Sequence, residues 1–347
     1  MKYLISPQKK QYKANLHCHS TLSDGNKTPE ELKDMYKGKG YSILAITDHE
    51  RPGHHPDLVD EDFILLTGYE AYIRPDAKYT PYVREIHMNL FAKDPKNVKM
   101  IAFDPRYCKY LKRDGVLDQQ EYVGEPEERE YSPEYINHFI RTARENGYLV
   151  SYNHGYWSME DEADILSYEG FFSMEMCNFS SYIINALDYN GALYDKMLRS
   201  GKRIFCHSAD DNHNRFPEDD PRCDSFGGYA VILPEEFTYE GIIRAMEEGE
   251  MYSSTGPEIR AVSVDGDEIH IECSPASRIV VFFGGKRTGY VFAAPGEAVT
   301  AADIKIPESA RYVRVCVIDE KGNRADTRGY FRDEIGFPPL EDLSLDA

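Results

Sequence analysis

Six of the eleven histidines in this chain of 347 residues stand at or near the ends of short apolar runs. In NLHCHSTLSDG, His17 and His19 are two apart. On an extended strand that spacing puts both imidazoles on one face and Leu16 and Cys18 on the other. Two neighbouring imidazoles chelate a borderline divalent cation, and Asp24, beside Gly25 in the next loop, can add an oxygen. ITDHE offers Asp48 or His49, with Asp48 able to ligate or to orient an imidazole. TGYEAY offers Glu70, IHMNLFA offers His87, and SYNHG offers His154. HSADDNHN offers Asp210, Asp211 and His213. Each has a bland reading alone, as a capped loop, a solvated acid or a hydrogen-bonded core histidine. Together, buried without a cation, so many titratable groups are costly to desolvate and repel one another. Their joint pattern points to a multinuclear metal site.

The elements that must position them alternate. Apolar runs at 13–19, 41–49, 63–71, 86–92, 148–154, 171–178 and 203–210 read as strands. Between them lie helical patterns. Thr28-Pro29-Glu30-Glu31 and Ser132-Pro133-Glu134 are N-terminal signatures, and Gly40 and Gly147 follow the ends. A third helix is predicted over roughly 184–199 and a fourth from Thr238 to Gly249. Strands alternating with helices imply βα units, a mainly parallel sheet and reactive groups gathered at strand ends. After STGPEI (254–259) the pattern becomes all-β, with a hairpin signal at Asp265-Gly266 and a further turn at Glu320–Asn323. The expected domains are 1–256 and a small sandwich-like module with a tail at 257–347. The charged stretch 104–131 lacks a period and reads as a lid.

The motifs HCHSTLSDG, TDH, GYE, the lone His87, NHG and DNH resemble, in order and approximate spacing, those of the polymerase and histidinol phosphatase (PHP) superfamily. The resemblance covers residues 13 to about 255 and rests most on HxHSxxSDG. It implies an α/β fold, a distorted barrel of seven βα units, and a phosphoesterase site of two or three divalent ions, manganese, iron or zinc. Carried over by position, it implies His17, His19, Asp24, His49, Glu70, His87, His154, Asp211 and His213 as metal ligands, with Glu70 bridging. The family's last motif is usually SD-x-H and here reads SADDNH, so Asp210 competes with Asp211 for one place. The β-module behind STGPE also looks like the branch of carbaryl-hydrolase-like metallohydrolases.

The implied reaction is hydrolysis of a small phosphoester by a metal-bridging hydroxide, with His154, His213 and Asp211 as catalytic groups. Hydrolysis of a carboxylic ester, carbamate or amide at the same site is the near alternative, because both reactions need an activated hydroxide and a Lewis acid. A non-catalytic metal-binding scaffold is the third. Glu175 and Asn178 read as outer-shell, substrate-binding or buried structural groups, and His207 as core or outer shell. His54 and His55 read as solvated, Arg51, Arg74, Arg84 and Arg215 as phosphate grips or surface pairs, and Trp157 as a wall or packing group.

Lys and Arg number 40 against 60 Asp and Glu, a net charge of −20. That field repels phosphate backbones and disfavours a nucleic-acid scaffold, but leaves a small anionic substrate at a locally positive site. No run approaches the roughly 20 apolar residues of a membrane helix. Seven cysteines without a CxxC pair argue against a disulfide framework and fit a reducing cytoplasm.

Overall fold

The computed structural model describes residues 1–75 and 84–340. Several of its helices begin where the sequence supplies caps. In α1 (Pro29–Gly38) the Thr28 side chain accepts from the Glu31 amide while the Glu31 carboxylate accepts from the Thr28 N–H. Two orphan donors of the first turn are satisfied at once. After the short α2 (Lys109–Arg113), α3 (Pro133–Glu145) starts on Ser132 and buries Ile136, Phe139, Ile140 and Ala143 as one apolar stripe. Then come α4 (Glu162–Ser167), α5 (Phe179–Asn185), α6 (Gly191–Arg199) and α7 (Tyr239–Glu248).

The helix expected over 184–199 is two helices. The chain takes left-handed backbone at Ala186 and Asp188, with φ of 56° and 55°. The Asp188 carboxylate is held there by the N–H groups of Tyr156 and Trp157 and by the Ser181 hydroxyl. Those tertiary hydrogen bonds outweigh the local propensity to continue a helix.

The first strand, β1 (Lys2–Ile5), leaves the following ones for a different sheet. β2 (Tyr12–Asn15), β3 (Ile43–Ala45) and β4 (Ile64–Leu66) run parallel. β5 (Gly68–Ile73), β6 (Ile86–Ala92) and β7 (Tyr148–Tyr152) are successively antiparallel. β8 (Ser173–Asn178) and β9 (Phe205–Ala209) then continue in parallel from β7. β10 (Tyr229–Ile232) is antiparallel to both β2 and β11 (Met251–Ser254). The mainly parallel pattern expected from the βα alternation is therefore interrupted at β5–β6–β7.

After Pro257 the chain forms β12 (Ile259–Asp265), β13 (Glu268–Ala276), β14 (Arg278–Phe282), β15 (Thr288–Phe292), β16 (Val299–Lys305), β17 (Tyr312–Ile318), β18 (Arg324–Thr327) and β19 (Tyr330–Phe331). β12 and β13 meet at a turn where Gly266 has φ 61°, and β17 and β18 pair as a second hairpin. One sheet has the order β1-β12-β13-β16, so the N-terminal strand is built into the C-terminal region. A second sheet runs through β11–β18 pairing from β15 as far as β4. One apolar cluster joins Cys18, Tyr36 and Leu44 to Val262, Ile271 and Val315. No helix among the described residues is long and apolar enough to cross a membrane.

Candidate metal centre

His17 and His19 follow directly on β2, flanking Cys18, which bridges in parallel to Asn212. Leu16 and Cys18 are fully buried in apolar clusters on the other face, as alternation requires. The His17 and His19 Nε2 atoms lie 3.2 Å apart. Gly25 lets the following loop fold back beneath them, since a Cβ there would sit 2.0 Å from the His19 carbonyl oxygen. That fold brings Asp24 within 3.8 Å of both His19 and His49 and within 3.5 Å of His213.

Glu70, on β5, is the centre of the cluster and is buried. Its Oε1 lies 3.2 Å from His17 Nε2, 3.1 Å from His87 Nδ1 and 3.3 Å from His154 Nε2. Its Oε2 lies 3.4 Å from His19 Nε2 and 3.0 Å from His49 Nδ1. Asp211 closes the other side, with Oδ1 3.0 Å from His19 and 3.2 Å from His17. Three groups of potential ligands result: His19, Asp24, His49 and His213; His17, His19 and Glu70; and His49, Glu70 and His87. The three groups hold seven of the nine positions implied by the motifs, and Asp211 and His154 lie 3.2 Å from His17 and 3.3 Å from Glu70. Four residues in or beside the cluster have left-handed backbone without being glycine: Glu50 at φ 49°, His154 at 23°, Asp211 at 52° and Asn214 at 54°. Such strain persists only where surrounding contacts impose it.

Asp210 and Asp211 are separated by their surroundings. Asp210 points away and accepts from the N–H groups of Phe226, Gly227 and Gly228 at 2.7, 2.9 and 2.8 Å and from the Tyr36 hydroxyl at 2.7 Å. Gly228 is required there, because a Cβ would meet the Ala209 carbonyl oxygen at 2.5 Å. Asp48 also stays out, accepting from Ser20 N–H, Ser20 Oγ and Ser23 Oγ, and so ties down the loop that carries Asp24.

A second layer holds the first. A carboxylate only accepts, so the 2.7 Å contact makes His17 Nδ1 the donor to Glu175 and turns Nε2 toward Glu70 and Asp211. Glu175 also accepts from His154 N–H and from the Asn178 amide, which donates to Asp211 as well. The sequence left Glu175 and Asn178 open between several roles; the geometry makes them orienting groups. Sequence reasoning missed Arg129 and Glu50. The Arg129 guanidinium, fully buried, grips Glu50 with a 2.8 Å Nη2–Oε2 contact and donates to Tyr72 O, while Glu50 accepts from Tyr72 N–H. This pair braces β5 two residues from Glu70. Its only signal was a charged segment without a period. That segment is no free flap, since Arg113 donates to the carbonyls of Thr21, Leu22 and Ser23 in the Asp24 loop. Among the remaining histidines, His207 is buried with Nδ1 3.0 Å from Ser173 Oγ, and His54 is exposed beside Thr67.

Burial pulls the Glu70 carboxyl upward, yet His17, His87 and His49 outweigh it and hold it well below the usual carboxylate range. Burial lowers His87, but Glu70 and Glu85 prevail and lift it to about 10. His19 goes the other way, to about 4, through burial and the neighbouring His49 and His213. The protein alone therefore balances these carboxylates only by protonating some imidazoles and starving others. The balance is incomplete: His49 Nδ1 and Asp211 Oδ1 are buried without a hydrogen bond of acceptable geometry. A nitrogen- and oxygen-rich donor set with orphaned atoms aimed inward fits divalent cations. The cluster opens on a cavity of about 500 Å³, lined by His49, Glu70, His87, His154, Asp211 and His213 on one side and Trp157, Ile184 and Phe216 on another.

No protein-family profile matches the sequence. Over 84 residues the chain is 36% identical to the DNA polymerase/3′-5′ exonuclease PolX of Bacillus subtilis, a match covering 19% of this chain and 15% of the polymerase. Among solved structures it is similar to a two-domain protein from Bacteroides vulgatus containing a PHP-like metal-dependent phosphoesterase. There the TM-score is 0.46 at 12% identity, over 94% of this chain and 98% of the other. A metal-dependent phosphoesterase from Bifidobacterium adolescentis gives 0.37 at 16%, covering 69% and 96%. An amidohydrolase from Chromobacterium violaceum gives 0.37 at 17%, covering 60% and 93%. In its motifs, and in the convergence of the residues that compose them, the chain resembles the PHP-like metal-dependent phosphoesterases.

Proposed function

We propose that this protein is a metal-dependent hydrolase of small phosphoesters. The observation that carries the reading is Glu70, buried, with each oxygen shared among histidines from different strands while Asp211 faces it across His17 and His19. His17, His19, Asp24, His49, Glu70, His87, His154, Asp211 and His213 would hold two or three divalent ions, manganese, iron or zinc. Such ions supply Lewis acidity toward a phosphoryl oxygen and lower the pKa of water. The chain's own residues do the rest. Glu175 keeps His17 in one tautomer, and Asn178 holds Glu175 and Asp211 in register. His154 and His213 both line the cavity, and whichever of them is not holding an ion can pass a proton to a leaving oxygen. Residues 1–256 carry this chemistry, and the β-rich region that follows, as far as residue 340, acts as the packing partner on the shared core.

A second reading, hydrolysis of a carboxylic ester, carbamate or amide, is favoured by one observation. Arg215 is the sole lysine or arginine lining the cavity among the described residues, whereas phosphomonoesters are usually gripped by fixed cations. Manganese-loaded protein assayed on a matched phosphomonoester, phosphodiester and carboxylic ester, each with a chelator control, separates the two. Chelator-sensitive turnover of the phosphoesters is expected. Turnover confined to the carboxylic ester would replace the first reading by the second.

A further inference from the structure

We infer that the site selects esters whose organic group is apolar, and that Trp157, Ile184 and Phe216 form its binding wall. The inference rests on the phosphoester reading for the reacting group, and on the cavity itself for the organic part.

The wall shares the cavity with the candidate ligands. Trp157 is placed edge-on against His87 and His154, with ring centroids 5.4 and 4.8 Å away at 67° and 77°. The indole therefore borders the space open to the organic group of an ester whose reacting end lies at Glu70. Ile184 on α5 and Phe216 complete that side. In a chain of net charge −20, the apolar exposure gathered here is unusual: Trp157 is 39% and Ile184 47% exposed, with Tyr156, Met159 and Ile183 exposed beside them. Exposed apolar patches of this kind mark binding surfaces.

The wall is also fixed before any ligand arrives. The buried carboxylate of Asp188 accepts from Tyr156 N–H at 2.7 Å and Trp157 N–H at 2.9 Å. The same carboxylate accepts from the Ser181 hydroxyl at 2.7 Å, so one side chain staples the Trp157 loop to α5. Preorganisation of this kind reduces the ordering cost of binding. The polar groups that a sugar or polyol would need are scarce on this side. Ser181 is spent on Asp188 and Asp224 on the amides of His213 and Asn214, leaving Ser180, Asn185 and Arg215. A volume of about 500 Å³ exceeds what a phosphoryl group alone fills and matches pockets for small organic ligands, roughly 300–1,000 Å³.

The test compares 2-phenylethyl phosphate with ethyl phosphate, whose leaving alcohols are both primary and close in acidity, using the manganese-loaded full chain. Binding of the non-hydrolysable 2-phenylethyl- and ethylphosphonates is followed in parallel by the fluorescence of Trp157, the single tryptophan of the chain. We expect kcat/KM and phosphonate affinity to favour the phenylethyl compounds by about tenfold or more, the order of discrimination apolar pockets achieve. Ile184→Ser, on an exposed helix face, and Phe216→Ser should each move that ratio toward one at unchanged metal content. Equal values for the two compounds, or a ratio that survives both substitutions, would overturn the inference. Preferred binding of the phenylethyl phosphonate without turnover of either phosphate would keep the wall and discard the phosphoester reading; absence of both preference and turnover would discard both.

Discussion

Two of the buried charged clusters among the described residues are neutralised in opposite ways. Around Arg314 every group has a partner. Its guanidinium donates to Asp195 at 2.8 and 3.2 Å and to Asp326, while the hydroxyls of Tyr312 and Tyr189 take the remaining carboxylate positions. The Phe282 ring covers the guanidinium face at 4.1 Å. Among the described residues no lysine or arginine pairs with Glu70, only histidines that share its carboxylate oxygens, and His49 Nδ1 and Asp211 Oδ1 make no hydrogen bond of acceptable geometry. A polar network complete in protein atoms stabilises a fold, in this case the junction of α6 with β17 and β18. A network that closes only with added positive charge is kept for binding.

That contrast can be broken at several points. The largest effect is expected from Glu70→Gln, which removes the shared charge. Bound metal and turnover should fall together, by more than the 10–100-fold typical of outer partners, as measured by metal analysis and chelator-controlled assay. Retained metal would end Glu70's central place. Arg314→Ala should do the reverse. It leaves Asp195 and Asp326 buried without a cation and should cost about 3–5 kcal/mol in urea unfolding, while folded protein keeps its metal content. Glu175→Gln frees the His17 tautomer and should lower metal affinity or activity by about 10–100-fold with little change in unfolding midpoint. An unaltered affinity would show that the Glu175 contact does not set His17.

The smallest effect sharpens the comparison through pH. His207 is buried, and desolvation lowers its pKa from 6.5 to about 4. Its folded form therefore disfavours the proton that the unfolded chain accepts. Its contribution to stability is full above pH 6.5 and is lost as pH falls toward 4. Between pH 7 and 5 that loss is about 2 kcal/mol at most. In His207→Gln the drop in urea stability over that interval should be smaller by about this amount. An identical drop would assign the acid sensitivity to the Glu70 cluster instead.

Much of the site was legible before the fold. The two-residue spacing of His17 and His19 already placed both imidazoles on the side opposite Leu16 and Cys18, because strand periodicity is local. Thr28 and Ser132 announced their helices for the same reason. The break between α5 and α6 was not legible, since it depends on Asp188 meeting amides some thirty residues earlier in the chain. Nor was the return of β6 beside β5, or the pairing of β1 with β12 across most of the chain.

The sequence by itself determined which residue types were available and which local face each would occupy: histidines and acids at the ends of short apolar runs, caps at helix starts, a turn at Asp265-Gly266. Only the tertiary structure decided that Asp211 faces Glu70 while Asp210 turns into the amides of 226–228. It alone set Glu175 behind His17, 158 positions away, and paired Arg129 with Glu50. The reason is range. Periodicity and capping act within a few residues, whereas the orientation of a buried carboxylate is set by whichever donors the rest of the chain brings within about 3 Å of it.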